Sequence, residues 1–202
     1  MPMKLPVKLP SALLFDMDGT LTAPYFDYPA IRAEIGVVEG GLLEFIEQLA
    51  PDQRAAAEAI LHGHEARAAM ESTLNPGCDE LLTWVEQQQL PTALITRNTR
   101  KSVACVLDRH RLKFDCLVTR EDGRFKPDPA PLLLACEKLN VRPADAWMIG
   151  DASYDCIAGA AAGVPTVWVS HGKSRDFEVE PWKTVRDLPE LLELLRSCEP
   201  RV

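Results

Sequence analysis

The chain has 202 residues, 47% hydrophobic and 26% charged, which suits a globular protein with one core and a small appendage. Its formal net charge of −8 argues against nucleic acid or an anionic membrane as partner. An anionic substrate would need local cations or a metal to offset that repulsion.

Residues 1–10 are broken by prolines and lysines and hold no signal-peptide apolar core. Residues 12–15 form a short apolar run that predicts a buried parallel strand. The run ends on Asp16, and a parallel sheet places its chemistry at the carboxyl ends of its strands. Asp18, Gly19 and Thr20 follow. A turn at Gly19 would let both carboxylates face one pocket. That pairing suits a carboxylate nucleophile beside a second carboxyl that shuttles a proton. An acidic turn after a strand is the plain alternative.

Residues 26–74 contain no strand pattern. Residues 28–35, 42–50 and 53–70 all carry helical spacing, the last rich in alanine. This helical block interrupts the chain at the catalytic edge of the expected sheet. It would make a lid over the site, or a helix pair with no gating role.

Strands and helices then alternate. Helix is expected over 78–89 after Asn75-Pro76-Gly77, and a strand over 92–96. Thr96 opens Thr-Arg-Asn-Thr-Arg, where a hydroxyl and turning amides can hold phosphate oxygens. A helix cap at Asn98 or Thr99 explains the same residues. Arg97 and Arg100 suit either substrate anions or solvent. Helix follows over 101–111 and a strand over 115–119.

Lys126 stands in Phe-Lys-Pro-Asp-Pro, where prolines stiffen the chain and would hold the ammonium at a fixed point. An exposed loop lysine is the alternative. Helix is expected over 130–139 and a strand over 146–149. Gly150-Asp151 follows that strand, with Asp155 one helical turn on. With Asp16 and the backbone near Asp18, these oxygens suit a hard cation, and Mg2+ fits best. Asp155 would alternatively stabilise a helix start. Helix over 154–162, a strand over 166–169 and a last helix over 188–195 complete the pattern. The pattern predicts an α/β fold with a parallel sheet.

The 6 cysteines form no C-x-x-C pair and read as thiols of a reducing compartment. A cytoplasmic location is expected. His62, His64, His110 and His171 show no metal-ligand spacing. They are expected in structural or surface roles.

The segments around Asp16, Thr96, Lys126 and Asp151 stand in the order and context of the haloacid dehalogenase-like hydrolase superfamily. The chain resembles its phosphatase branch, near phosphoglycolate-phosphatase and phosphomutase-like members with a helical cap. The resemblance implies a Rossmann-like five-stranded parallel sheet with helices on both faces, strand one central and strand four beside it. Residues 1–25 and 75–202 would form this core, and 26–74 a small all-helical cap.

It implies Asp16 as nucleophile, Asp18 as acid–base, and Lys126 and Thr96 as stabilisers of the transferring phosphoryl group. Mg2+ would be held by Asp16, the Asp18 carbonyl and Asp151, with Asp155 in support. Gly19, Thr20, Thr96, Arg97, Asn98 and Lys126 would surround the phosphate. The implied partner is a small phosphorylated metabolite, with no nucleic acid and no membrane, and the chain would be a monomer or homodimer. Phosphomutase and 2-haloacid dehalogenase chemistry are the rivals, and Asp18 favours phosphoryl transfer over carbon–halogen cleavage. A receiver-like phosphoacceptor lacks the insertion and a phosphorylated acid on its first strand. The insertion is short for this branch, and Arg97 stands where a smaller residue is common.

Overall fold

The computed structural model describes residues 8–199. Most of the segment expected to lack a leader therefore lies outside the described residues.

Six parallel strands build one sheet. They are β1 (Ala12–Phe15), β2 (Thr92–Ile95), β3 (Cys116–Val118), β4 (Ala146–Gly150), β5 (Thr166–Val169) and β6 (Lys183–Val185). Their order is β3-β2-β1-β4-β5-β6, so β1 and β4 lie side by side at the centre. The first strand runs in register with both neighbours, Leu14 pairing with Ala93 on one side and Met148 on the other.

All four residues of β1 are buried, because helices cover both faces of the sheet. Alternate residues feed two cores. Leu13 and Phe15 pack with Leu81, Val103 and Leu191, from α4 (Cys78–Gln87), α5 (Arg100–His110) and α8 (Leu188–Arg196). Ala12 and Leu14 pack with Leu132 and Ala158, from α6 (Ala130–Lys138) and α7 (Ser153–Ala162). This is the expected α/β architecture with helices on both faces.

The sheet has six strands where five were expected. β6 escapes a pattern reading because it is a three-residue edge strand, half exposed, without an apolar run. It follows Trp182, whose ring packs on Trp147 at 4.8 Å between centroids.

Between β1 and β2 lie α1 (Tyr28–Ile35), α2 (Leu42–Gln48) and α3 (Pro51–Glu71). Ile31, Leu43, Ile46, Ala57 and Leu61 form a third apolar cluster, separate from the two sheet cores. The helices thus carry a small core of their own and sit beside the carboxyl edge of the sheet. No helix among the described residues is long and apolar enough to cross a membrane.

Candidate active site

The carboxyl ends of the central strands converge on one cavity of about 530 Å³. Asp16 follows β1, Thr96 follows β2, and Asp151 follows β4. A parallel sheet gathers residues distant in sequence in this way at its carboxyl edge. Asp16, Asp18, Gly19, Thr96, Arg97, Asn98, Lys126, Asp151 and Asp155 all line the cavity.

The turn after β1 is what turns Asp18 toward Asp16. Gly19 adopts φ +84°, and a Cβ there would stand 2.3 Å from Asp151 Oδ2. A side chain there would be strained by the left-handed backbone and would displace the Asp151 carboxylate. Asn75, at the far end of the inserted helices, fastens the turn from outside. Its Nδ2 donates to the carbonyls of Gly19, Thr20 and Thr22 at 3.1, 2.8 and 3.1 Å. His171 stands 2.5 Å from the Gly19 carbonyl as well.

Lys126 is 2% exposed, and its Nζ donates to Asp16 Oδ1 and Asp155 Oδ1 at 2.7 Å each. It also donates to the Ile95 carbonyl at 2.8 Å. Burial opposes the ammonium's charge, but Asp155 and Asp16 outweigh it and raise the pKa. The lysine is therefore buried and engaged, rather than an exposed loop residue.

The carboxylates are not fully compensated. Burial pushes Asp16 up to about 7, with the Asp155 and Asp151 charges adding to it against Lys126. Burial, with Asp155 behind it, lifts Asp151 to about 6. Asp18 also rises to about 7, through burial first and the Asp16 charge second, while a 2.5 Å bond from Asn98 Nδ2 pulls the other way.

Oxygens of Asp16, Asp151 and Asp155 lie within 4.8 Å of one another. Oxygen ligands, close spacing and surplus negative charge fit a hard divalent cation. Asp155 also accepts from the Ala152 N–H at 3.1 Å, so the two alternatives for it coexist: it starts α7 and faces the cluster.

The remaining expected residues divide. Thr99, not Asn98, caps α5, accepting from the Ser102 N–H at 3.2 Å. Asn98 is thereby free to engage Asp18. Arg97 donates to both oxygens of Glu44 on α2 at 2.9 Å. Its guanidinium lies 4.2 Å from the Tyr154 ring centroid and 5.0 Å from that of Phe125. Thr20 is fully buried and does not line the cavity, and its hydroxyl has no hydrogen-bond partner among the described residues. Arg100 pairs with Asp122 at 2.6 Å outside the cavity.

Several residues at the site carry little signal in the sequence. Glu44 and Glu65 reach the core from the inserted helices, pairing with Arg97 and with Arg120. Isolated acids on helices look like solvated charges, so spacing does not reveal them. Asn75 beside Pro76-Gly77 looks like a helix start. His171 follows β5, and the strand-end rule that finds Asp151 points to it as well.

Comparison with known proteins decides the family. The chain matches the haloacid dehalogenase-like hydrolase family over residues 36–169. It belongs to that family. It is 33% identical over 199 residues to a protein of Saccharomyces cerevisiae named as a hydrolase, covering 92% of this chain and 91% of the other. It is 32% identical over 185 residues to an N-acetylmuramic acid 6-phosphate phosphatase of Pseudomonas putida, covering 80% and 83%. Other relatives carry the name phosphoglycolate phosphatase. A crystallised hydrolase of Pseudomonas syringae superposes with TM-score 0.77 at 21% identity, covering 92% of this chain and 97% of that one. That likeness concerns the fold. The protein is an enzyme, a hydrolase of this family.

Proposed function

We propose that this hydrolase is a Mg2+-dependent phosphatase, acting on a small phosphorylated metabolite through an aspartyl phosphate on Asp16. The observation that carries the proposal is the cavity at the strand ends, where one buried lysine bonds Asp16 and Asp155 beside Asp18 and Asp151.

In this mechanism Asp16 attacks phosphorus in line, and the bond from phosphorus to the leaving oxygen breaks. Lys126 orients the attacking carboxylate and presents positive charge to the phosphoryl oxygens. Asp18 gives its proton to the leaving oxygen. Water then attacks phosphorus of the aspartyl phosphate as Asp18 takes its proton, and the bond from phosphorus to the Asp16 oxygen breaks, releasing inorganic phosphate and restoring the carboxylate. A carboxyl near pH 7 is suited to both directions of that transfer. Thr96 and the neighbouring backbone of Gly19, Arg97 and Asn98 surround the phosphate. Asp16, Asp151 and the Asp18 carbonyl would hold Mg2+, supported by Asp155. When bound, the cation offsets charge on the phosphoryl oxygens.

Residues 26–74 act as a cap in this proposal. Their apolar cluster and the Arg97–Glu44 and Arg120–Glu65 pairs support a unit seated on the core. Excluding water strengthens the electrostatics beneath it. Relatives named as phosphatases favour phosphomonoesters as substrates.

Purified protein should release inorganic phosphate from small phosphomonoesters, and excess EDTA should abolish the release. Silence across a broad panel of such esters would contradict the proposal.

A further inference from the structure

Most cations lining the cavity are already engaged. Lys126 holds Asp16 and Asp155, and Arg120 holds Glu65. Arg97 holds Glu44 through Nη2 and lies against two aromatic rings, its buried Nη1 having no hydrogen-bond partner among the described residues. Arg32 donates to the Gly40 carbonyl at 2.6 Å. Lys173 and Arg175 line the same cavity, are exposed, and form no ion pair among the described residues.

Their loop is fastened on both sides. On the near side, the His171 ring meets the Gly19 carbonyl, and the His171 N–H donates to the Arg186 carbonyl at 2.8 Å. His171 and Gly172 take φ 52° and 73°, which folds the chain back. The Lys173 N–H then donates to the Ser170 carbonyl at 2.9 Å. On the far side, Phe177 packs edge-on against Trp168 at 4.8 Å between centroids. The neighbouring acids Asp176, Glu178 and Glu180 do not line the cavity. The loop therefore turns its cations, and not its carboxylates, to the site. Arg175 is near enough to Asp151 for its charge to oppose the rise in that carboxyl's pKa, without forming an ion pair with it. In a chain of net charge −8, two cations at the substrate cavity outside any ion pair among the described residues are placed for an anion.

We propose that Lys173 and Arg175 recognise a second anionic group on the substrate, a carboxylate or a second phosphate, beyond the phosphoryl group that is transferred. This rests on the phosphatase proposal, in which the transferring group is already served by Asp16 and Lys126. The two residues then determine specificity. Neither touches the reacting atoms.

The test uses matched substrates: an O-phosphoryl 2-hydroxy acid with its primary amide, and an alkyl bisphosphate with its monophosphate. The intact enzyme should favour the charged member of at least one pair, and the pair that responds identifies the second group. In Lys173→Ala/Arg175→Ala the preference in kcat/KM should fall by about 10- to 100-fold, mostly through KM. Arg175→Lys should retain most of it. Added salt should erode the preference in the intact enzyme more than in the double variant. An unchanged ratio in the double variant, while phosphate release persists, overturns the second-anion site alone. No phosphate release from any of the four substrates or from p-nitrophenyl phosphate contradicts the phosphatase proposal and this one with it.

Discussion

Lys126 Nζ stands 2.7 Å from Asp16 Oδ1, although 110 residues separate the two in sequence. The contact joins the end of the first strand to a proline-flanked segment that precedes α6. The same ammonium reaches Asp155, so one buried cation ties together segments from three parts of the chain. Around it stand Asp16, Asp18, Asp151 and Asp155, more negative charge than one lysine balances.

Removing that cation should be severe. Lys126→Met keeps the buried stem and deletes the charge. Catalysis should fall by at least about 10²- to 10³-fold, the scale of losing one preorganised charge stabiliser. In chelator at alkaline pH the variant should also melt earlier, because Asp16 and Asp155 lose their shared partner. Steady-state rates on p-nitrophenyl phosphate and thermal denaturation check both.

The surplus charge makes the metal-free protein sensitive to pH. Asp16 and Asp18 rise to about 7, and Asp151 to about 6, from 3.8. The folded state thus binds these protons more tightly than the unfolded chain does. Their contribution to stability is complete below about pH 4 and is lost as pH rises through 6 and 7. Asp122 and Asp187 shift downward, and their effect is confined to pH below 4. In EDTA the melting temperature should therefore fall between about pH 5 and pH 8. Excess Mg2+ should flatten that slope. A rise in melting temperature across this window, in chelator, would contradict the charge balance described for the cluster.

Gly19 is the position most sensitive to a single methyl. Gly19→Ala places a Cβ 2.3 Å from Asp151 Oδ2 in a backbone of φ +84°. Either the turn or Asp151 must move. Activity should collapse while the far-UV circular dichroism stays native, because the strands themselves are untouched. Full activity in this variant would show that the turn does not set the carboxylate geometry.

The inserted helices are held by a charged contact that crosses to the core. Glu44→Gln leaves Arg97 between its two aromatic rings without an anionic partner. Hydrogen exchange should quicken in α2 and leave the central strands unchanged. Faster exchange in β1 and β4 instead would mean that the pair supports the core rather than the insertion.

The fold was largely legible because each of the five expected strands is short, largely apolar and bounded by a turn or a proline. The strand-end rule placed Asp16, Thr96 and Asp151 at the cavity, since a parallel sheet gathers its strand ends there. It did not find Glu44, Glu65 or Arg120. Their role comes from two pieces of chain meeting in space, and neither piece carries a periodic signal of it. The edge strand Lys183–Val185 was hidden for a related reason: with one face open to solvent, it needs no apolar run. Thr20, expected near the phosphate from its place in the motif, is fully buried and does not line the cavity.

The covalent role proposed for Asp16 can be tested directly in two variants. Asp18→Asn keeps the nucleophile and removes the proton shuttle. A nitrophenolate leaves without much protonation, so the first step should survive, while hydrolysis of the aspartyl phosphate lacks its base. Mixed rapidly with p-nitrophenyl phosphate and Mg2+, Asp18→Asn should release about one equivalent of nitrophenol per site and then nearly stop. The phosphate should be recovered on Asp16 by mass spectrometry of the quenched protein. Asp16→Asn should give neither burst nor turnover. Substantial turnover by Asp16→Asn, or phosphate recovered on another residue, would contradict the nucleophile assignment and favour direct attack by water.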